Sequence, residues 1–284
     1  MASTPTAAVE AALGGSVEAS ERLDGGMVGD VFRVELADGR VAVAKTGEHD
    51  LSIEGRMLSY LATESDLPVP EVYHADADLL CIEYVAGTST ITPAVERDAA
   101  RQLADLHRVA GRAFGFPFDT LTGPVSQPNP WTERWVSFYR DQRVRSICDR
   151  ASRAGALSDE LATRVERACA DFESLLSEPE TPALLHGDAW RTNLLTDGRR
   201  VTAFLDPTCY YGHPEVELAY VDWTETFGDA FFDRYQRERG VDLGAAFWDR
   251  RRYIYRLSPL LVHVHLFGDQ YREELAETLA RLGY

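Results

Sequence analysis

Residues 183–206 constrain the fold more than any other stretch of this chain. Three short apolar runs, 183–185, 194–195 and 201–205, are separated by polar segments, a pattern that predicts short strands. The first run leads into a polar loop, and the other two read as a small hairpin. The loop carries His186, Gly187, Asp188 and Asn193, and Asp206 follows the last run directly. Two carboxylates and one carboxamide therefore stand at the ends of short strands, where loops gather functional groups on a rigid frame.

The layout on either side is uneven. Residues 28–36 and 41–45 are valine-rich runs joined through Asp38-Gly39, which predicts a hairpin. Residues 53–63 read as a helix with Met57, Leu58 and Leu61 on one face, and Leu67-Pro68-Val69-Pro70 prevents its continuation. A further pair of strands is expected at 72–75 and 79–84. After Gly87 the pattern turns helical, with helices predicted over 93–112, 131–150 and 159–176 around a Gly- and Pro-rich loop at 115–130. Leu103, Leu106 and His107 share a face of the first of these. The expected architecture is α+β with two lobes: a small β-rich lobe over 1–84 and a larger helical lobe over 85–284.

Charge removes several classes of partner. The chain has 29 basic and 46 acidic residues, a formal charge of −17, and a surface of that sign repels nucleic acid and anionic membranes. No run approaches the ~20 apolar residues of a membrane span, and the first residues do not read as a secretory signal, so a cytoplasmic protein is expected. Cys81, Cys148, Cys169 and Cys209 form no CxxC pair, which argues against a zinc site or a disulfide framework. The acidity reads either as a halophilic adaptation or as that of an ordinary acidic protein. Of the basic residues, 28 are arginine and one is lysine, at position 45. An ammonium is a compact point charge that a planar guanidinium does not replace where phosphate oxygens crowd together.

The ordered polar residues point to phosphoryl transfer. Asp24-Gly25-Gly26-Met27-Val28-Gly29 joins two expected strands, and glycines such as Gly25, Gly26 and Gly29 let backbone N–H groups approach a triphosphate. Lys45 closes a strand and Glu54 lies in the next helix, the pairing by which a lysine is oriented toward the phosphates of ATP. His186-Gly187-Asp188 with Asn193 has the H-x-D-x-x-x-x-N spacing of a kinase catalytic loop, in which Asp accepts the hydroxyl proton. Asn193 and Asp206 supply hard oxygen ligands suited to Mg²⁺. His186 reads as a packing residue rather than a base. An ATP- and Mg²⁺-dependent kinase follows from the set, whereas any one of these pieces alone is a common pattern.

The segments HGDAWRTN and, after Phe204, LDPTCYYGHPEVELA resemble the phosphotransferase branch of the protein-kinase-like fold. Within it, the stretch from Asp206 to Glu215, the Gln127-Pro-Asn129-Pro-Trp131 segment with Trp135, Phe138 and Arg143, and Trp190 resemble the fructosamine (ketosamine) kinase family over nearly the whole chain. The resemblance implies Asp188 as proton acceptor, Asn193 and Asp206 as metal ligands, and Glu83, Tyr84 and Val85 as a hinge that meets adenine. It implies a small ketoamine acceptor phosphorylated on its 3-hydroxyl, a repair of glycated amines. Trp135 and Phe138 read as core, while Trp131 and Trp190 read equally as core or as flat rings stacking on a sugar. Met27 and Val28 stand in the glycine-rich stretch where several family members carry a cysteine linked to dimerisation, so a monomer is expected rather than a disulfide-linked dimer. Rival readings are a kinase of another acceptor (an aminoglycoside, choline or a free sugar) and an inactive nucleotide-binding protein. A protein kinase is disfavoured because nothing after Asp206 resembles an APE motif.

Overall fold

The computed structural model describes residues 5–23 and 29–284. A short helix α1 (Thr6–Leu13) precedes a five-stranded antiparallel sheet of β1 (Val17–Arg22), β2 (Asp30–Leu36), β3 (Val41–Thr46), β4 (Val72–Ala75) and β5 (Leu80–Glu83), in the order β1-β2-β3-β5-β4. Alternation along β2 puts Phe32, Val34 and Leu36 on the face covered by Val9 of α1. Helix α2 (Leu51–Glu64) crosses between β3 and β4, started by Asp50, whose side chain accepts from the Ser52 N–H at 3.0 Å. Its Gly55 is required by close approach, because a Cβ there would stand 2.3 Å from the Cβ of Ala75. That contact lets α2 lie flat on the sheet and fixes the neighbouring Glu54.

The remainder is mainly helical. Helix α3 (Pro93–Leu106) begins with Thr92 as cap and Pro93 in the first turn. It ends six residues before the expected 112, since Ala110 bridges to Ala183 and the Gly111 N–H donates to the Pro182 carbonyl at 2.9 Å. The chain is already committed to the extended pairing that supports the catalytic segment. A two-stranded ribbon, β6 (Thr120–Thr122) and β7 (Val125–Gln127), occupies part of the expected loop. The helix expected from 131 starts at Trp135 instead, because Thr132 exchanges backbone hydrogen bonds with Phe114 at 2.8 and 2.9 Å. It runs as α4 (Trp135–Phe138), a π-helical stretch Tyr139–Arg145, and α5 (Ser146–Arg153), followed by α6 (Asp159–Leu175).

Then come β8 (Ala183–Leu185), a 3₁₀ turn Arg191–Asn193, β9 (Leu194–Thr196), β10 (Val201–Phe204) and β11 (Tyr210–Gly212). β9 pairs with β10, and β8 with β11. Helices α7 (Pro214–Trp223), α8 (Asp229–Arg239), α9 (Gly244–Ala246), a π stretch Phe247–Arg251, α10 (Arg252–Phe267) and α11 (Asp269–Leu282) complete the chain. Pro259 inside α10 cannot donate to the carbonyl of Tyr255, and the Tyr139 hydroxyl donates to that oxygen at 2.9 Å. One large core unites the helices and the short strands, with Trp135, Phe138 and Tyr139 fully buried in it. No helix among the described residues is long and apolar enough to cross a membrane. All four cysteines are buried as free thiols.

Candidate active site

The polar residues picked out by spacing converge on one cleft between the five-stranded sheet and the helices. Its wall includes Asp30, Val31, Lys45, Glu54, Asp188, Trp190, Asn193, Asp206, Tyr220 and His263, and it encloses a cavity of about 180 Å³. A larger open groove of about 830 Å³ between the end of α2 and α3 contains none of these residues.

Lys45, at the end of β3, bonds Glu54 Oε1 on α2 at 2.7 Å and also pairs with Asp206 Oδ1. Burial works against the ammonium, but the carboxylates of Asp206 and Glu54 outweigh it and hold the lysine well above its usual pKa, so it stays charged. Asp206 follows β10 with φ of 52°, a left-handed conformation rare outside glycine and tolerated best by Asp and Asn. The bonds on either side impose it: Leu205 N–H to the Asn193 carbonyl at 2.8 Å and Thr208 N–H to the His186 carbonyl at 2.9 Å.

Asp188 sits on the loop after β8. Burial pushes its carboxyl up to about 7, against a lowering hydrogen bond from the Tyr220 hydroxyl, with the nearby charge of Asp206 adding to the rise. Asn193 donates its amide to Asp188 Oδ2 at 2.8 Å and to the Asp188 carbonyl at 3.1 Å, which turns its own Oδ1 away from Asp188. Gly187 has φ of 86°, and a Cβ there would lie 2.4 Å from Thr208 Oγ1, so only glycine lets the loop pass this close to the segment after Asp206.

The loop is clamped from below by a residue the spacing argument did not single out. Glu217 of α7, with 1% of its surface exposed, accepts from the His186 N–H at 3.1 Å, the Gly187 N–H at 2.6 Å and His107 Nε2 at 2.8 Å. Burial alone would raise the Glu217 pKa, but the His107 hydrogen bond and charge outweigh it and hold the carboxylate ionised. His107 Nδ1 in turn meets the Tyr235 hydroxyl at 2.6 Å. Tyr220 and His263 also reach the cleft wall unannounced by any motif.

The other expected site residues are placed unevenly. Gly29 precedes β2 with φ of 98°, while Gly25 and Gly26 lie outside the described residues. Trp190 is half-buried in the cleft wall. Trp131 is not brought there: the Arg112 guanidinium covers its ring at 4.3 Å, with Tyr211 at 6.1 Å. Glu83, Tyr84 and Val85 sit where β5 ends, outside the wall of this cavity, and the Glu83 N–H is taken by the Glu71 carbonyl at 2.8 Å.

The donor chemistry suits Mg²⁺. Asp206 offers a half-exposed carboxylate, and Asn193 Oδ1 faces away from Asp188 on the same wall. Among the described residues no group of three or more acidic, histidine or cysteine side chains forms a closed cage. A partial oxygen set of this kind matches an ion that keeps waters and shares its shell with substrate phosphates.

A family model for fructosamine kinase matches residues 1–283. The chain belongs to the fructosamine kinase family. This makes it an ATP-dependent phosphotransferase. It is 31% identical over 235 residues to a "Probable ketoamine kinase" of Pasteurella multocida, covering 81% of this chain and 79% of that one. Identity to the chloroplastic protein-ribulosamine 3-kinase of Arabidopsis thaliana is 31% over 182 residues, covering 62% of this chain and 54% of that protein's length. A crystal structure of a Thermobifida fusca protein assigned as a fructosamine-3-kinase superposes with a TM-score of 0.86 at 31% identity, covering 98% of both chains. An aminoglycoside phosphotransferase solved with ADP and hygromycin B superposes with a TM-score of 0.68 at 19% identity, covering 99% of this chain and 97% of that one, which shows the shared protein-kinase-like fold.

Proposed function

We propose that this kinase transfers the γ-phosphoryl group of ATP to the 3-hydroxyl of a small ketoamine, a fructosyl or ribulosyl amine, and thereby acts in repair of glycated amines. The observation that carries the reading is the meeting of Asp188, held near neutrality, with Lys45 and Asp206 in one cleft of a chain whose relatives are named ketoamine and ribulosamine kinases. Residues 1–84 form the nucleotide lobe in this reading and 85–284 the lobe that carries the catalytic loop and acceptor.

Each side chain has a distinct task. Asp188 accepts the proton of the attacking hydroxyl, and a base whose pKa lies near the working pH does this best. Lys45, oriented by Glu54, meets the α- and β-phosphates. Asn193 Oδ1 and Asp206 would hold Mg²⁺, which when bound neutralises the charge on the phosphate oxygens. Tyr84, Val85 and the Glu83 backbone other than its engaged N–H offer groups to adenine, with Gly29 along the phosphates. Trp190 stacks on the acceptor. Because γ-phosphoryl transfer asks little covalent chemistry of the protein, rate enhancement comes from placement and electrostatics.

The test is ATP-dependent ADP release with a panel of fructosyl and ribulosyl amines, free hexoses, choline and aminoglycosides. The reading expects a ketoamine to give the highest kcat/KM. A free sugar, choline or aminoglycoside exceeding every ketoamine tenfold would overturn the substrate class and leave the kinase intact.

A further inference from the structure

The cleft has a recess behind Asp188, a cavity of about 60 Å³ between α7, α10 and the β6–β7 ribbon. His263 of α10 lines both the cleft and this recess, together with Asp188, Tyr220, Thr122, Thr208 and Val262. His263 Nδ1 lies 2.8 Å from the carbonyl oxygen of Pro259, and a carbonyl can only accept, so Nδ1 carries the proton. Burial lowers the pKa of the ring, which leaves it neutral at pH 7 with the lone pair on Nε2. Trp223 at 5.1 Å and Tyr271 at 4.7 Å hold the imidazole in place. The Trp223 indole N–H is directed to Glu274, so it does not satisfy the imidazole. Nε2 has no hydrogen-bond partner among the described residues.

The carboxylates of the cleft wall are all engaged. Glu54 and Asp206 hold Lys45, Asp30 pairs with Arg22, and Asp188 is bonded by Tyr220 and Asn193. A cationic group on the acceptor therefore finds the uncommitted His263 lone pair on the wall shared with Asp188, beside the apolar side chains of Val262 and Leu266, whereas the other unpartnered imidazole of the wall, His49, lies under the influence of the Lys45 ammonium. In a ketoamine the nitrogen and the 3-hydroxyl are separated by three carbons, short enough for both to lie along this wall at once.

We propose that His263 Nε2 accepts a hydrogen bond from the protonated amino nitrogen of the acceptor and so selects amine-bearing sugars over neutral ones. The proposal rests on the ketoamine reading above. A bond from a charged donor to a neutral acceptor inside a cleft is stronger than one from a hydroxyl, so it discriminates as well as orients. The apolar neighbours take the alkyl carbons next to the nitrogen.

The experiment compares the wild type with His263→Phe and His263→Gln. Phenylalanine keeps a ring against Trp223 and Tyr271 without an acceptor, while glutamine restores an acceptor oxygen without the ring. Each protein is measured with a 1-alkylamino fructose and with the matching 1-O-alkyl fructose, as substrate or as competitive inhibitor. The expected result is a rise of about tenfold or more in the KM of the amine for His263→Phe. The oxygen analogue and ATP should change by less than about twofold, with the amine KM partly recovered in His263→Gln. A wild-type KM for the amine in His263→Phe, or an equal loss for both acceptors, overturns the proposal and leaves the ketoamine reading standing. A wild type that turns over no ketoamine removes both.

Discussion

Glu217→Gln separates positioning of the catalytic loop from mere burial. The carboxylate receives three hydrogen bonds, two from the backbone N–H groups of His186 and Gly187 and one from His107. A glutamine oxygen placed toward His186 and His107 keeps those two, but its NH₂ then faces the Gly187 N–H, and a donor meets a donor. The loss is one charge-assisted hydrogen bond plus an unpaired N–H, about 1.5–3 kcal/mol. For a chain of this size that lowers Tm by about 3–5 °C. The displaced group immediately precedes Asp188, so kcat should fall about tenfold or more, the scale on which small misplacements act. The assay is a thermal melt beside steady-state kinetics, with Glu215→Gln as control. Glu215 is two residues away and pairs with Arg251 at 2.6 Å without touching the loop, so its loss should cost stability and spare kcat. If Glu217→Gln kept both Tm and kcat, or lost kcat no more than Glu215→Gln did, the clamp would have no role in placing Asp188.

Lys45→Arg keeps the charge but not its compact geometry between Glu54 and Asp206, and should raise the KM for ATP and lower kcat; amine-selective labelling of Lys45 should be blocked by saturating MgATP. Asp188 must be ionised to act, and with its pKa raised to about 7, kcat/KM for the acceptor should climb as pH rises to about 7 and level off above it. The same shift means the unfolded chain gives up this proton first, so Asp188 contributes a fall in stability as pH rises from about 4 to 7, and Asp188→Asn should melt higher than wild type at pH 8. At −17 formal charge, a halophilic adaptation predicts a Tm that rises between about 0.1 M and 1 M salt as the Debye length shrinks from about 10 Å to about 3 Å; a flat Tm would remove that reading.

The catalytic segment was legible because its order is local. Strand, loop and hairpin follow within 24 residues, and the short apolar runs at 183–185 and 201–204 leave the loop residues little freedom. The β2–β3 hairpin was legible for the same reason. β1 was not, since VEASER is polar and its residues are almost all exposed at the edge of the sheet, so it lacks the alternation that marks a half-buried strand. Helix α3 ends before its sequence pattern does because bridging of Ala110 to Ala183, a contact 73 positions away, overrides a helical pattern that local spacing continues. Trp131 and Trp135 stand at helical spacing, yet Trp131 belongs to an extended segment paired with Phe114. The Glu217–His107 pair joins positions 110 apart and carries no motif, although a glutamate flanked by Val216 and Leu218 in an apolar helix was a visible sign of a buried charge. His263 looks like one polar residue on an amphipathic helix, and only the packing of α10 against the cleft shows that it lines the same cavity as Asp188.

The most direct measurement follows label from γ-labelled ATP into a fructosyl amine, using wild type and Asp188→Asn side by side with MgATP affinity as the control. The account predicts that label enters the sugar amine with wild type, that Asp188→Asn lowers kcat by at least about 100-fold, and that both proteins bind MgATP alike. Label transfer by Asp188→Asn at a rate close to wild type would contradict it.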